Sequence, residues 1–155
     1  MKTSHFLKIL AVLAVMILLT VLISWSLTPS YGRILNINWG VKLPVDSICT
    51  EIYTKNDPAE FHGPGLRYHI YSYKHESHIA QMPVWQGENE EGKSPEDCCR
   101  FSGELLDELD IPREHCPSED LSSLRFHYDA DHDGSELLMV WDQERDLIYV
   151  LEHIL

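Results

Sequence analysis

"LRFHYDADHDGSELLMVWDQERDLIYVLEHIL" (Leu124–Leu155) is the stretch whose reading decides the fold. Three β-rich runs, Leu124–Tyr128, Leu137–Trp141 and Leu147–Leu151, are joined by the polar links DADHDGSE and DQERD. Links this short suit hairpins and leave no room for the crossover that a parallel pair needs, so the spacing predicts an antiparallel meander. Asp133-Gly134 strengthens the first turn, because glycine accepts positive φ at little cost.

That turn also resembles the start of a calcium loop. Asp129, Asp131 and Asp133 fall at the first, third and fifth positions, and Gly134 at the sixth. The bidentate acid that such a loop places last is replaced by Val140, inside a strand. The flanks read as β rather than helix. A plain hairpin is the preferred reading, with a weak Ca²⁺ site on the three aspartates as the alternative. No other cofactor is indicated.

Upstream, Ser94-Pro95-Glu96-Asp97 has the form of a helix start: a serine N-cap, proline in the first turn, then acids. Cys98, Phe101, Leu105 and Leu109 recur on one face, and Pro112 bars continuation. Earlier still, Ser47–Thr54 and Leu66–Lys74 read as strands. "LNINWGVKL" (Leu35–Leu43) alternates apolar and polar residues and is also expected to be a strand. Strands on both sides of one helix give an α+β class: a small, mostly antiparallel sheet with one packed helix.

The chain has 155 residues and a formal net charge of −13. No acidic residue precedes Asp46, so the negative charge belongs to the later part, which repels nucleic acid. The start is different. Lys2 and Lys8 precede an apolar run from Ile9 to Leu27, long enough at ~1.5 Å per residue to cross a ~30 Å hydrocarbon core. It predicts a transmembrane helix and signal-anchor over residues 1–30, in contact with lipid through residues 6–27. The basic flank places the N-terminus in the cytoplasm and an extracytoplasmic domain, residues 31–155, outside the cell membrane. A cleaved secretory signal, ending near Ser24-Trp25-Ser26, is the alternative.

Export would make disulfides the default for Cys49, Cys98, Cys99 and Cys116. Cys98 or Cys99 joined to Cys116 is the preferred bridge, contributing about 3 kcal/mol by chain entropy. Cys49 could take the remaining helix cysteine. A Cys-x-x-Cys pair, a phosphate-binding loop and a G-x-S-x-G elbow are all missing. His75-x-x-His78 can present two imidazoles on one helical face, yet no third ligand follows at a suggestive spacing.

"YTKNDPAEFHGPGLRYHIYSY" (Tyr53–Tyr73) resembles a pattern in an uncharacterised family of small bacterial, Gram-positive-type proteins, anchored in the membrane or exported. In these an acidic residue precedes a Gly-Phe-His-Gly-Asp-Gly loop, and a strand follows. Asp57, Phe61, His62, Gly63 and Gly65 match, whereas Glu60 and Pro64 depart from the pattern. The terminal VWDQERDLIYVLEHIL resembles the family's last hairpin, with Asp142 starting the turn and Tyr149 in the final strand. The resemblance implies an anchored or exported α+β domain and carries no activity; the glycine-rich composition around His62 makes Phe61, His62, Gly63 and Gly65 a candidate binding loop. The expected function is a non-catalytic module that binds an unidentified protein or envelope partner. The alternatives are the calcium-binding domain and a hydrolase centred on His62.

Overall fold

The computed structural model describes residues 31–55, 64–85 and 93–155, together with Leu13, Val15, Met16, Ile17 and Leu19. Its strands are β1 (Ile48–Lys55), β2 (Gly65–Ser72), β3 (Leu124–Ala130), β4 (Glu136–Asp142) and β5 (Leu147–Ile154). Its α-helices from residue 31 onward are α1 (Tyr31–Trp39), α2 (Glu76–Ala80) and α3 (Pro95–Glu108). The strands make one antiparallel sheet in the order β1-β2-β5-β4-β3. The C-terminal meander forms as its short links dictate. Leu147 stands opposite Asp142 on one side and Ser72 on the other, so β5 is the central strand.

Central strands here are apolar on both faces. Leu137, Met139, Trp141, Ile148 and Val150 join one core, while Leu138, Val140, Tyr149 and Leu151 join another. The first core is completed by Tyr31 and Leu35 of α1 and Ile79 of α2, the second by Cys98, Leu105 and Leu106 of α3. The expected sheet with one packed helix is therefore corrected to a sheet covered on both sides. The near-continuous runs LLMVW and LIYVL carry that information, since a strand with one wet face alternates.

Part of the second layer comes from the segment expected to be a strand. Residues 31–39 are helical because Tyr31, Ile34 and Leu35 are buried at helical spacing, and Ile37, which alternation would bury, is 66% exposed. Trp39 satisfies both periods, which is why the pattern misled. Gly40, at φ +67°, ends the helix, and its N–H donates to Asn36 O at 3.0 Å.

The transmembrane helix, and with it the single-pass placement in a cell membrane, is likewise corrected. No helix among the described residues is long and apolar enough to cross a membrane. A bilayer span needs about 20 consecutive apolar residues in one helix, and of the apolar run only Leu13, Val15, Met16, Ile17 and Leu19 are described. The rest of residues 1–30 lies outside the described residues.

The disulfides are corrected too: all four cysteines are free thiols. Cys49 packs on the first core and Cys98 and Cys116 on the second, so the sheet itself separates Cys49 from the latter two. Burial is the main reason that all four thiols titrate above their usual range, Cys98 at about 11. They remain protonated at neutral pH and make poor nucleophiles.

Helix α3 begins as the sequence predicts. Ser94 Oγ accepts the Asp97 N–H at 3.1 Å, and Asp97 Oδ2 accepts the Ser94 N–H at 3.4 Å. Replacing Ser94 by Ala is expected to lower unfolding free energy by about 1 kcal/mol. Urea denaturation measures it, and an unchanged midpoint would deny the cap any energetic role.

Candidate metal centre

Between α1 and β1 the chain turns through Pro44-Val45-Asp46-Ser47, closed by Ser47 N–H donating to Pro44 O at 3.0 Å. The turn projects Asp46 toward α2. His75 is the residue before that helix and His78 lies in its first turn, so the i, i+3 spacing puts both rings on one side. Buried Ile79 and Met82 hold the segment to the first core. The imidazoles are left at the surface, 61% and 50% exposed, while Asp46 is only 14% exposed between them.

The three side chains converge. His75 Nδ1 lies 2.9 Å from Asp46 Oδ2 and His78 Nδ1 lies 3.2 Å from Asp46 Oδ1. The two rings are 5.0 Å apart at their centroids, and one ligand atom from each residue falls within 4.8 Å of the others. Hydrogen bonds from His75, then His78, hold the Asp46 carboxyl down to about 2, so it is an anion at any physiological pH. Zn–N and Zn–O bonds are roughly 2.0–2.2 Å, which places neighbouring ligand atoms about 3–3.5 Å apart. The carboxylate-to-imidazole distances match that spacing. Two imidazoles and one carboxylate suit zinc, iron, cobalt or nickel, and leave coordination positions open to solvent.

No other group of three or more His, Cys, Asp or Glu side chains converges in this way among the described residues. Asp129 lies on β3, paired with Leu137. Asp131 and Asp133 occupy the β3–β4 turn, where their carboxylates satisfy the turn itself. Asp133 Oδ1 accepts the Ser135 N–H at 2.8 Å, Asp131 Oδ1 accepts the His132 N–H at 2.7 Å, and Gly134 adopts φ +90°. Arg67 borders the same small hollow as these two aspartates, so a cation there would face a guanidinium. Phe61, His62 and Gly63 lie outside the described residues, whereas Gly65 opens β2 at φ +149°. Asp46 is the residue that one-dimensional reading missed. His75-x-x-His78 was visible, but its third partner comes from upstream, from a turn with no motif of its own.

A second titratable cluster is structural. Glu152 of β5 is fully buried on the first face and has three partners. The Tyr31 hydroxyl donates to its Oε2, Trp39 Nε1 donates to Oε1 at 2.7 Å, and the buried Arg67 guanidinium stands 3.8 Å away. Beside it the fully buried His69 ring stacks on Tyr31, with centroids 3.4 Å apart and planes at 11°. Neither nitrogen of His69 has a hydrogen-bond partner among the described residues. Burial, reinforced by the Arg67 charge, pushes this imidazole down to about 3.

Comparison of the chain with protein-family models, with curated proteins and with solved structures finds no match.

His69 makes the fold acid-sensitive. The unfolded chain takes up its proton near the ordinary histidine value of about 6.5, whereas the folded chain resists to about 3. Between those limits the unfolded state binds more protons, so stability falls as pH falls. From pH 6.5 to 5, above the carboxylate range, unfolding free energy should drop by roughly 1–2 kcal/mol. His69→Phe, which keeps the stacked ring, should flatten that slope. Equal slopes for both proteins in denaturant titrations would remove His69 as the cause.

Proposed function

We propose that the chain is a small, non-catalytic binding protein for a divalent transition metal, held by Asp46, His75 and His78. The convergence of an ionised carboxylate and two imidazoles, from separate segments fixed to one core, carries this reading. Both rings are exposed, so an ion can reach the three ligands directly from solvent. The acidic chain, at net charge −13, adds a field that draws cations toward it.

Bound metal joins the Asp46 turn to α2, and binding to the folded state alone raises stability by about 2.7 kcal/mol at a hundredfold excess over Kd. Thermal melting with Zn²⁺ should therefore show a rise in Tm that EDTA reverses. Co²⁺ should give visible absorption of a low-symmetry site. Asp46→Asn and the double change His75→Ala, His78→Ala should each abolish both signals while leaving the metal-free Tm close to that of the parent. A parent protein indifferent to both metals, or a double variant that still responds, would overturn the proposal.

A further inference from the structure

A cavity of about 590 Å³ opens between α1, the segment that follows it, and edge strand β1. Its size lies within the range of small-molecule pockets, ~300–1,000 Å³. The walls are mostly carbon: Tyr31 and Tyr71 from the first core, Leu43, Cys49, and Ile52, which stays 57% exposed on the edge strand. An exposed isoleucine on the wall of an open cavity is apolar surface that a ligand would remove from water.

The charge around this cavity is opposite to that of the chain. Among the described residues its charged lining residues are Arg33 on α1 and Lys42 beyond it, and none of them is a carboxylate. Both cations are exposed, and neither forms an ion pair with any described residue. In a chain with 25 acidic and 12 basic residues, two cations beside one hollow, neither paired among the described residues, mark a local reversal of sign. Ser47, also on the wall, contributes a hydroxyl oxygen that is shut from solvent and has no hydrogen-bond partner among the described residues.

From this arrangement we infer that the cavity binds an amphipathic carboxylate: an acid head between Arg33 and Lys42, with an apolar chain or ring laid over Tyr71 and Ile52. The cations supply head-group recognition and the carbon walls supply affinity, the usual division in a ligand pocket. The inference goes beyond the metal reading and uses none of the metal ligands.

Decanoate is a suitable probe, with decan-1-ol and decylammonium as neutral and cationic counterparts of the same tail. Titration calorimetry on the full chain, in EDTA, should show saturable one-to-one binding of decanoate at sub-millimolar concentration. The alcohol and the ammonium should bind roughly tenfold more weakly or not at all. Arg33→Ala and Lys42→Ala should each cost roughly two- to fivefold in affinity, and Ile52→Asp should abolish binding. Raised salt should weaken decanoate binding to the unaltered protein, an arm that does not depend on any variant folding. Absence of saturable binding, equal affinity for the alcohol, or full affinity in both Arg33→Ala and Lys42→Ala would overturn the inference.

Discussion

Everything in this molecule answers to one constraint: β4 and β5 are apolar on both sides. Leu137 to Trp141 and Ile148 to Leu151 leave no face for water, so a single helix cannot cover the sheet. Helix α3 closes one side, and α1, α2 and their connections close the other. That second closure brings polar groups with it. Burying Glu152 would be costly alone, and the Tyr31, Trp39 and Arg67 side chains that surround it are what make the position tolerable. Two of those partners belong to α1, so the carboxylate also fixes where that helix sits.

How much of this was legible depended on the range of the interactions. The meander, the Ser94 cap and the extent of α3 rest on local rules, and the chain obeyed them. The strand expected over residues 35–43 failed because Leu35 and Trp39 satisfy a period of two and a period of 3.6 alike. Only the demand of the sheet for a cover selects the helix. The apolar run near the start was read as a span on hydropathy, a property that says nothing of the helix it needs. The cysteines were paired by assuming export, and the sheet lies between Cys49 and Cys98.

The candidate chemistry gathers where the layers are stitched together. Asp46 lies between α1 and β1, His75 and His78 lie just beyond β2, and the cavity spans the same junction. These segments are fixed by neighbours in the core rather than by their own hydrogen-bonded ladders, so their side chains are free to face outward. Both features escape a motif search for one reason. Each draws its side chains from more than one element, the metal ligands from a turn and the start of α2, the cavity walls from α1, the segment after it, β1 and Tyr71 of β2.

The strand at the middle of the sheet is also the last of the five in chain order. Without β5, the hairpins β1–β2 and β3–β4 would each leave one strand edge unpaired, on β2 and on β4. Neither edge can be satisfied until β5 slides between them, pairing with β2 across a long intervening stretch of chain. Such late, distant pairing slows folding and leaves the nascent product vulnerable to association with its own kind. Damage confined to Leu147–Ile154 would then cost the cell the whole domain, not one strand of it.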